Sequence, residues 1–383
     1  MFALSLSVGL AVLLVWSASR RAPTAVRVGG DVAATAEWLP DDLLWVPNGR
    51  VVMGSTAQAL IDLVETTGGR ASTRRASLRA FAPELGPRAV DVAPFWLHRF
   101  PVTNEQYQRF VEATRHRFPF HWWKLGASAH FQATRATARA EFGDVLPELY
   151  YWQAHWRDLP CSIPQHAERQ PVTFVSYRDA LAFCAWVGMR LPTEAEWILA
   201  ATGGVQQQYL WGDECDDETL ADLGLDGRVA SGPRDVDGLG AVARGVFGHE
   251  GLVGLVWHWV GSRGFLPVDS VAAFQAEWAE IERRDRGASI GPPEWSRDKR
   301  ILKGGSFLSK ENPAELRIGT RASVMPQQTL EAVGFRVARG VEPARAMSAS
   351  RIALREEQQG DGRWSFAGVS RCSPSKSVSS ATT

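Results

Sequence analysis

The chain has 383 residues, 45% of them hydrophobic and 22% charged, with 42 Lys+Arg against 42 Asp+Glu. That balance suits a globular protein of one large or two small domains. With a net charge of zero, nothing in the composition argues for nucleic acid or an acidic partner.

Phe2–Trp16 is an apolar run of 15 residues, short of the roughly 20 that a spanning helix needs. Ser17-Ala18-Ser19 follows as a signal-peptidase site, although Arg20-Arg21 lie after the run and no positive region precedes it. Residues 1–19 are therefore expected to be an export signal, with a membrane anchor as the second reading. Either one makes the protein exported or membrane-anchored, periplasmic or extracellular in a bacterium. Residues 20–42 read as a linker and 43–340 as the folded domain. Residues 341–383 turn to Ser, Arg, Ala and Gln, the composition of a mobile tail.

Leu43–Gly54 reads as a β-hairpin, because two apolar runs flank Pro47-Asn48-Gly49. Ser55–Pro87 is polar and mixed, its middle either a helix or a disordered loop. Val90–Phe100 reads as a strand region. Thr103 then caps a helix with Gln106 at N3, and Tyr107, Phe110, Val111 and Thr114 give it one buried face. Val172–Val175 is a short β-prone run that enters a further helix. Ser176 and Asp179 cap that helix; Ala180, Leu181, Cys184 and Val187 line its face, and Gly188 ends it. Thr193 and Glu196 form a second capping box, Trp197, Ile198 and Ala201 a second buried stripe, and Gly203-Gly204 a stop. Gly254–Val260 reads as buried strand or turn. Ser270–Arg284 is an amphipathic helix with Val271, Phe274, Trp278 and Ile281 on one side. Ile301–Phe307 runs as a strand into a Gly-Gly turn, with short strands at Glu315–Ala322 and Gly334–Ala338.

His116–Gln170 is the least regular section and the richest in aromatics. It holds Trp122, Trp123, Trp152 and Trp156 and five of the eight histidines: His116, His121, His130, His155 and His166. No standard ligand spacing is present, so a cleft wall of Trp and His fits better than a metal site. Asp213–Asp226 carries seven acidic residues, either a solvated loop or a calcium loop without EF-hand spacing. None of the four cysteines, Cys161, Cys184, Cys215 and Cys372, forms a CxxC pair. Cys184 reads as an inert packing residue, and Cys161 with Cys215 is one candidate disulfide.

Seven stretches stand in order between Leu43 and Gly340: WVPNGRVVMGS, PFWLHRFPVTNEQY, QPVTFVSYRDALAFCAWVGMRLPTEAEW, YLWGDE, GLVWHWV, ILKGGSF and GFRVAR. Together they resemble the formylglycine-generating-enzyme, or sulfatase-modifying-factor, family. The resemblance implies a loop-rich α+β fold related to C-type lectins, with modest regular secondary structure. The enzymes that name the family oxidise a sulfatase cysteine to formylglycine. They hold copper through two cysteines beyond the GGSF motif, a thiolate pair suited to Cu(I). Here the first position is Ser309 and the second falls near Pro313 or Ala314. A hydroxyl is a poor ligand for that ion. Where the family reads GNVWEW and binds calcium, this chain reads GLVWHW, with Leu255 and His258 at the changed positions and Gly251 upstream, so calcium is not expected. Trp257, Ser306, Arg317 and Arg321 are retained.

PAELRIGTR looks like the cysteine-less branch of the family. That branch includes accessory proteins of siderophore maturation, domains of iron-dependent sulfoxide synthases and ligand-binding domains with hypervariable surfaces. The expectation is thus an accessory or binding domain without a cofactor, holding a peptide or small polar ligand through Trp257, Trp122, Trp123, Arg317 and Arg321. For the two arginines a structural role is the alternative. A second reading is an oxidoreductase with histidine-bound iron or copper, drawing on His258, His116 and His121. If the pocket is catalytic, Ser306, Ser309 and Trp257 are its candidates. A true formylglycine-generating oxidase ranks third, since it needs the missing thiolates.

Overall fold

The computed structural model describes residues 42–66, 77–78, 80–225, 232–263, 268–284, 298–309 and 312–340. The expected export signal, most of the linker and the tail lie outside them. The rest is mixed: short strands, helices and much irregular chain.

The expected hairpin does not form. β1 (Leu43–Val46) pairs antiparallel with β4 (Phe95–His98), whereas β2 (Gly49–Met53) pairs with β3 (Arg88–Val92). The Pro47-Asn48 link sends its two flanks into different sheets. β3 and β4 divide the expected Val90–Phe100 region at Ala93-Pro94, since proline has no N–H for a ladder. β9 (Ala338–Gly340) joins β4 from the far end of the chain. The central sheet runs β7-β6-β5-β8, from β5 (Trp257–Arg263), β6 (Arg300–Lys303), β7 (Ala322–Val324) and β8 (Val333–Phe335). β5 and β8 are parallel, and the other pairs antiparallel. The strand expected over Glu315–Ala322 is corrected: a 3-10 turn occupies Pro313–Leu316, and β7 starts only at Ala322.

α1 (Ala57–Thr66) opens the mixed region after β2, and most of that region's middle lies outside the described residues. α2 (Asn104–Thr114) carries the expected box: Thr103 Oγ1 accepts from Gln106 N–H, and Gln106 Oε1 accepts from Thr103 N–H. The section expected to be least regular is helical. A π-turn over Trp122–Gly126 leads to α3 (Ser128–Phe142) and α4 (Pro147–His155), a helical pair tied together by Arg135–Glu148 and His155–Glu141. The Val172–Val175 run makes no strand; its neighbour Pro171 forms one isolated bridge to Thr103. α5 (Tyr177–Trp186) and α6 (Glu194–Thr202) are capped by Ser176/Asp179 and Thr193/Glu196 as the sequence predicts. α6 ends on Gly203 at φ 64°, the left-handed conformation that favours glycine there. α7 (Asp217–Asp222) is a short helix inside the acidic run, and α8 (Val268–Arg284) is the amphipathic helix.

Three apolar clusters fill the interior. One gathers α2, α5 and the aromatic section, with Trp122, Trp123 and Trp152 fully buried. The second surrounds α6 with β1, β2 and β4. The third joins α1 to α8 through Leu60, Ile61, Phe274, Trp278 and Ile281, and includes Ala314. Cys161 takes part in a disulfide, but Cys215 carries a free thiol, so those two are not a pair. Cys184 is buried, which pushes its thiol pKa upward and keeps it inert.

Candidate functional site

β6 drives Lys303 into the interior and then turns at Gly304 and Gly305, with φ of 102° and 65°. A Cβ on Gly304 would lie 2.3 Å from Leu252 O, so the close approach of two backbones requires glycine there. Gly254 N–H donates to Gly304 O, and Phe307 N–H to Leu255 O, which seats the turn against the chain preceding β5.

Ser309 lies fully buried at the end of that turn. Its Oγ accepts from Ser306 N–H at 3.0 Å and donates to Glu315 Oε2 at 2.7 Å. Ser306 Oγ accepts from Leu308 N–H. Burial raises the Glu315 pKa, against the Ser309 and Asn312 hydrogen bonds that lower it. Ala314 adds only a methyl group, packed in the apolar cluster of α1 and α8. One hydroxyl, already bonded on both sides, and one methyl group do not fit Cu(I), which takes soft thiolates. Calcium fits no better. Leu255 is an apolar core residue, Gly251 offers no side chain, and His258 is sealed in the interior.

Beneath the turn lies a buried charge network that the sequence reading missed. Lys303 Nζ donates to Ile318 O and Thr320 O at 2.7 Å and stands 3.6 Å from Glu194 Oε1. Arg321 Nε lies 3.0 Å from the same oxygen, and Arg321 Nη1 donates to Pro83 O. Arg317 Nη2 donates to Glu84 Oε1 at 2.6 Å, its Nε to Ala314 O, and its guanidinium lies over the Phe81 ring. Burial lowers the Lys303 pKa to about 8, partly offset by Glu194 and Glu84. Burial alone would raise the Glu194 pKa; Arg321 and Lys303 outweigh it and hold it below the ordinary value. Arg317 and Arg321 therefore fix the Pro313–Arg321 segment to Glu84, Pro83 and α6. Their expected role in ligand contact gives way to the structural alternative. The signal was available: Lys303 follows Ile301 and Leu302 in a strand that reads as buried, and a buried lysine needs partners.

The expected tryptophan wall is also corrected. Trp122 donates Nε1–H to Asn104 Oδ1, and Trp123 donates to His130 Nδ1. Both rings are wholly enclosed by Phe120, Phe131, Tyr107 and Tyr151, and present no surface to a ligand. Trp257 is half-buried on the opposite face of β5 from His258, beside Val333. Trp122, Trp123, Arg317 and Arg321 are buried, so Trp257 is the most accessible member of the predicted ligand set.

The histidines do not converge. His116 Nε2 meets Asp179 Oδ1 at 2.8 Å, and His121 Nε2 meets Asn104 Oδ1. His258 Nδ1 accepts from Trp197 Nε1–H, and burial holds its pKa well below the ordinary value. Among the described residues no three His, Cys, Asp or Glu side chains gather as a metal-binding group.

A model of the sulfatase-modifying factor enzyme 1-like domain matches residues 30–341. The formylglycine-generating enzyme of Thermomonospora curvata is 31% identical over 274 residues, 66% of this chain and 84% of that protein. The inactive C-alpha-formylglycine-generating enzyme 2 of Bos taurus is 29% identical, covering 73% of this chain and 88% of that protein. The hercynine oxygenase of Mycobacterium tuberculosis is 32% identical, covering 67% of this chain and 55% of that protein.

Proposed function

Because the chain belongs to the sulfatase-modifying factor enzyme 1-like family, we propose that it serves as an accessory or ligand-binding member and not as a copper-thiolate oxidase. The observation that carries this reading is the Ser306–Ser309–Glu315 hydrogen-bonded turn, with Ser309 where the resemblance puts the first thiolate and Pro313 or Ala314, neither of them a metal ligand, where it puts the second. Similarity to both a formylglycine-generating enzyme and an inactive one is consistent with a scaffold that persists without the chemistry. The ligand in this reading is a peptide or small polar molecule seated at the accessible face of Trp257, whose ring supplies contact area. Incubation with a cysteine-containing sulfatase peptide tests it. The peptide mass should stay that of the thiol; conversion to the aldehyde would refute the proposal.

The similarity to hercynine oxygenase favours a second reading, an oxygenase with a non-copper metal site. His116, His121 and His258 have separate partners in this fold, so the ligands would have to come from elsewhere. The apolar Phe2–Trp16 run supports export or membrane attachment. No helix among the described residues is long and apolar enough to cross a membrane. Mapping the amino terminus of protein recovered from cells checks this: a start just after Ser19 supports cleavage, and an intact Met1 in a cytosolic fraction contradicts export.

A further inference from the structure

Residues 244–251 form no helix or strand, yet His249 and Glu250 within them are buried. This loop is tied to the end of β4. Glu250 N–H donates to Arg99 O, and the Arg99 guanidinium donates to Glu250 Oε1. Arg336 Nη2 donates to Glu250 O, and its Nη1 donates to His98 O and Arg99 O. Arg336 therefore clamps loop to strand through backbone carbonyls. It is wholly enclosed, and among the described residues no carboxylate pairs with it.

Three histidines lie within reach of that charge: His98 on β4, His249 on the loop and His258 on β5. All three are fully buried. Each has a ring nitrogen with no hydrogen-bond partner, Nε2 in His98 and His258 and both nitrogens in His249. The charges facing His249 are few. Arg336 and His98 act against its protonation, and the Leu97 and Leu44 carbonyls favour it without reaching hydrogen-bond geometry. Asp42 acts on His98. The Glu250 carboxylate is taken by Arg99 and Arg244, and Lys303, opposite His258, by Glu194. A proton on His249 would put a second charge beside an enclosed guanidinium, which the interior tolerates poorly. His98 and His258 are fixed in sheets. His249 sits on irregular chain held by few bonds, so it is the ring that can leave.

We propose that residues 244–251 are an acid-released latch: below neutral pH His249 leaves the interior, takes a proton from solvent and carries the loop off β4. Release reaches the Ser309 turn, because the loop continues into Leu252–Leu255, where Gly254 N–H and Leu255 O hold Gly304 and Phe307. The proposal does not rest on ligand binding at Trp257.

Hydrogen exchange of the full chain, read by mass spectrometry from pH 7.5 to pH 5 and corrected for intrinsic rates, tests it. The Gly245 and Glu250 amides, which donate to His249 O and Arg99 O, report the loop. The Ala180 amide of α5, which donates to Ser176 O, reports the rest of the fold. The loop amides should be less protected than Ala180, which marks a local opening. Their protection should fall about tenfold between pH 6.5 and pH 5, as one ring of ordinary pKa protonated only in the open form requires. His249→Leu should hold that fall to about twofold or less. Should this variant fail to fold, the wild-type profile decides. Protection equal to that of Ala180 at every pH, loop protection that does not change with pH, or a full pH dependence kept by folded His249→Leu would overturn the proposal.

Discussion

Lys303 and Ser309 stand at the two ends of one turn, yet the molecule treats them oppositely. At Lys303 a charge is fully enclosed, and it is met by Glu194 and two backbone carbonyls. At Ser309 the buried group is neutral and needs only two hydrogen bonds. The first arrangement is demanding, because removing any member strands a charge in the interior. The second is undemanding, because a hydroxyl is satisfied locally. The framework beneath the turn rests on paired charges, whereas the turn itself rests on local hydrogen bonds. The same contrast separates Arg317 and Arg321, tied into the framework, from Trp257, which keeps an accessible face.

The fold can be strained first by acid, which acts on buried histidines outside the turn. Burial lowers the His98 pKa to about 4 and those of His121 and His249 to about 3, and His258 also lies well below its ordinary value. Above pH about 6.5, the ordinary histidine value, these rings are neutral in both folded and unfolded chains. As pH falls below that, the unfolded chain takes up protons that the folded one refuses. Stability is thus lost between pH about 6.5 and about 4, by up to about 1.4 kcal/mol per unit for each such ring. Urea denaturation across that window should show the decline, and a flat profile would contradict it. Glu194→Ala comes next. It leaves Lys303 and Arg321 without their carboxylate and should cost about 3–5 kcal/mol in the same denaturation assay at neutral pH. Ser309→Ala is the smallest. It unpairs Ser306 N–H and Glu315 and should cost about 1 kcal/mol, leaving the fold intact. If Ser309→Ala proved as damaging as Glu194→Ala, the distinction between framework and turn would fail.

Local signals read well from sequence and distant ones did not. Three capping boxes, at Thr103, Ser176 and Thr193, were legible because each depends on residues three apart. The apolar stripe of α8 was legible for the same reason. The hairpin was misread because Asn48-Gly49 is a turn signal only if the two strands prefer each other; here β1 found β4 and β2 found β3. The tryptophans of the π-turn were misplaced because a Trp-rich segment has the same composition whether it lines a cleft or fills a core. Lys303, Glu84 and Glu194 come together only through tertiary packing, since Glu84 lies 233 residues from its partner Arg317. The thiolate pair that the resemblance leads one to look for was the exception, because its absence depends only on residue identity at Ser309 and at Pro313 or Ala314.

Copper binding tests the central claim most directly. Purified full-length protein should be loaded with Cu(I) under reducing conditions, passed over a competing chelator and assayed for bound metal. The account predicts that the chelator strips the copper and leaves well below one equivalent per chain. One equivalent of tightly held copper per chain, lost when Ser309 or Glu315 is replaced by alanine, would contradict it.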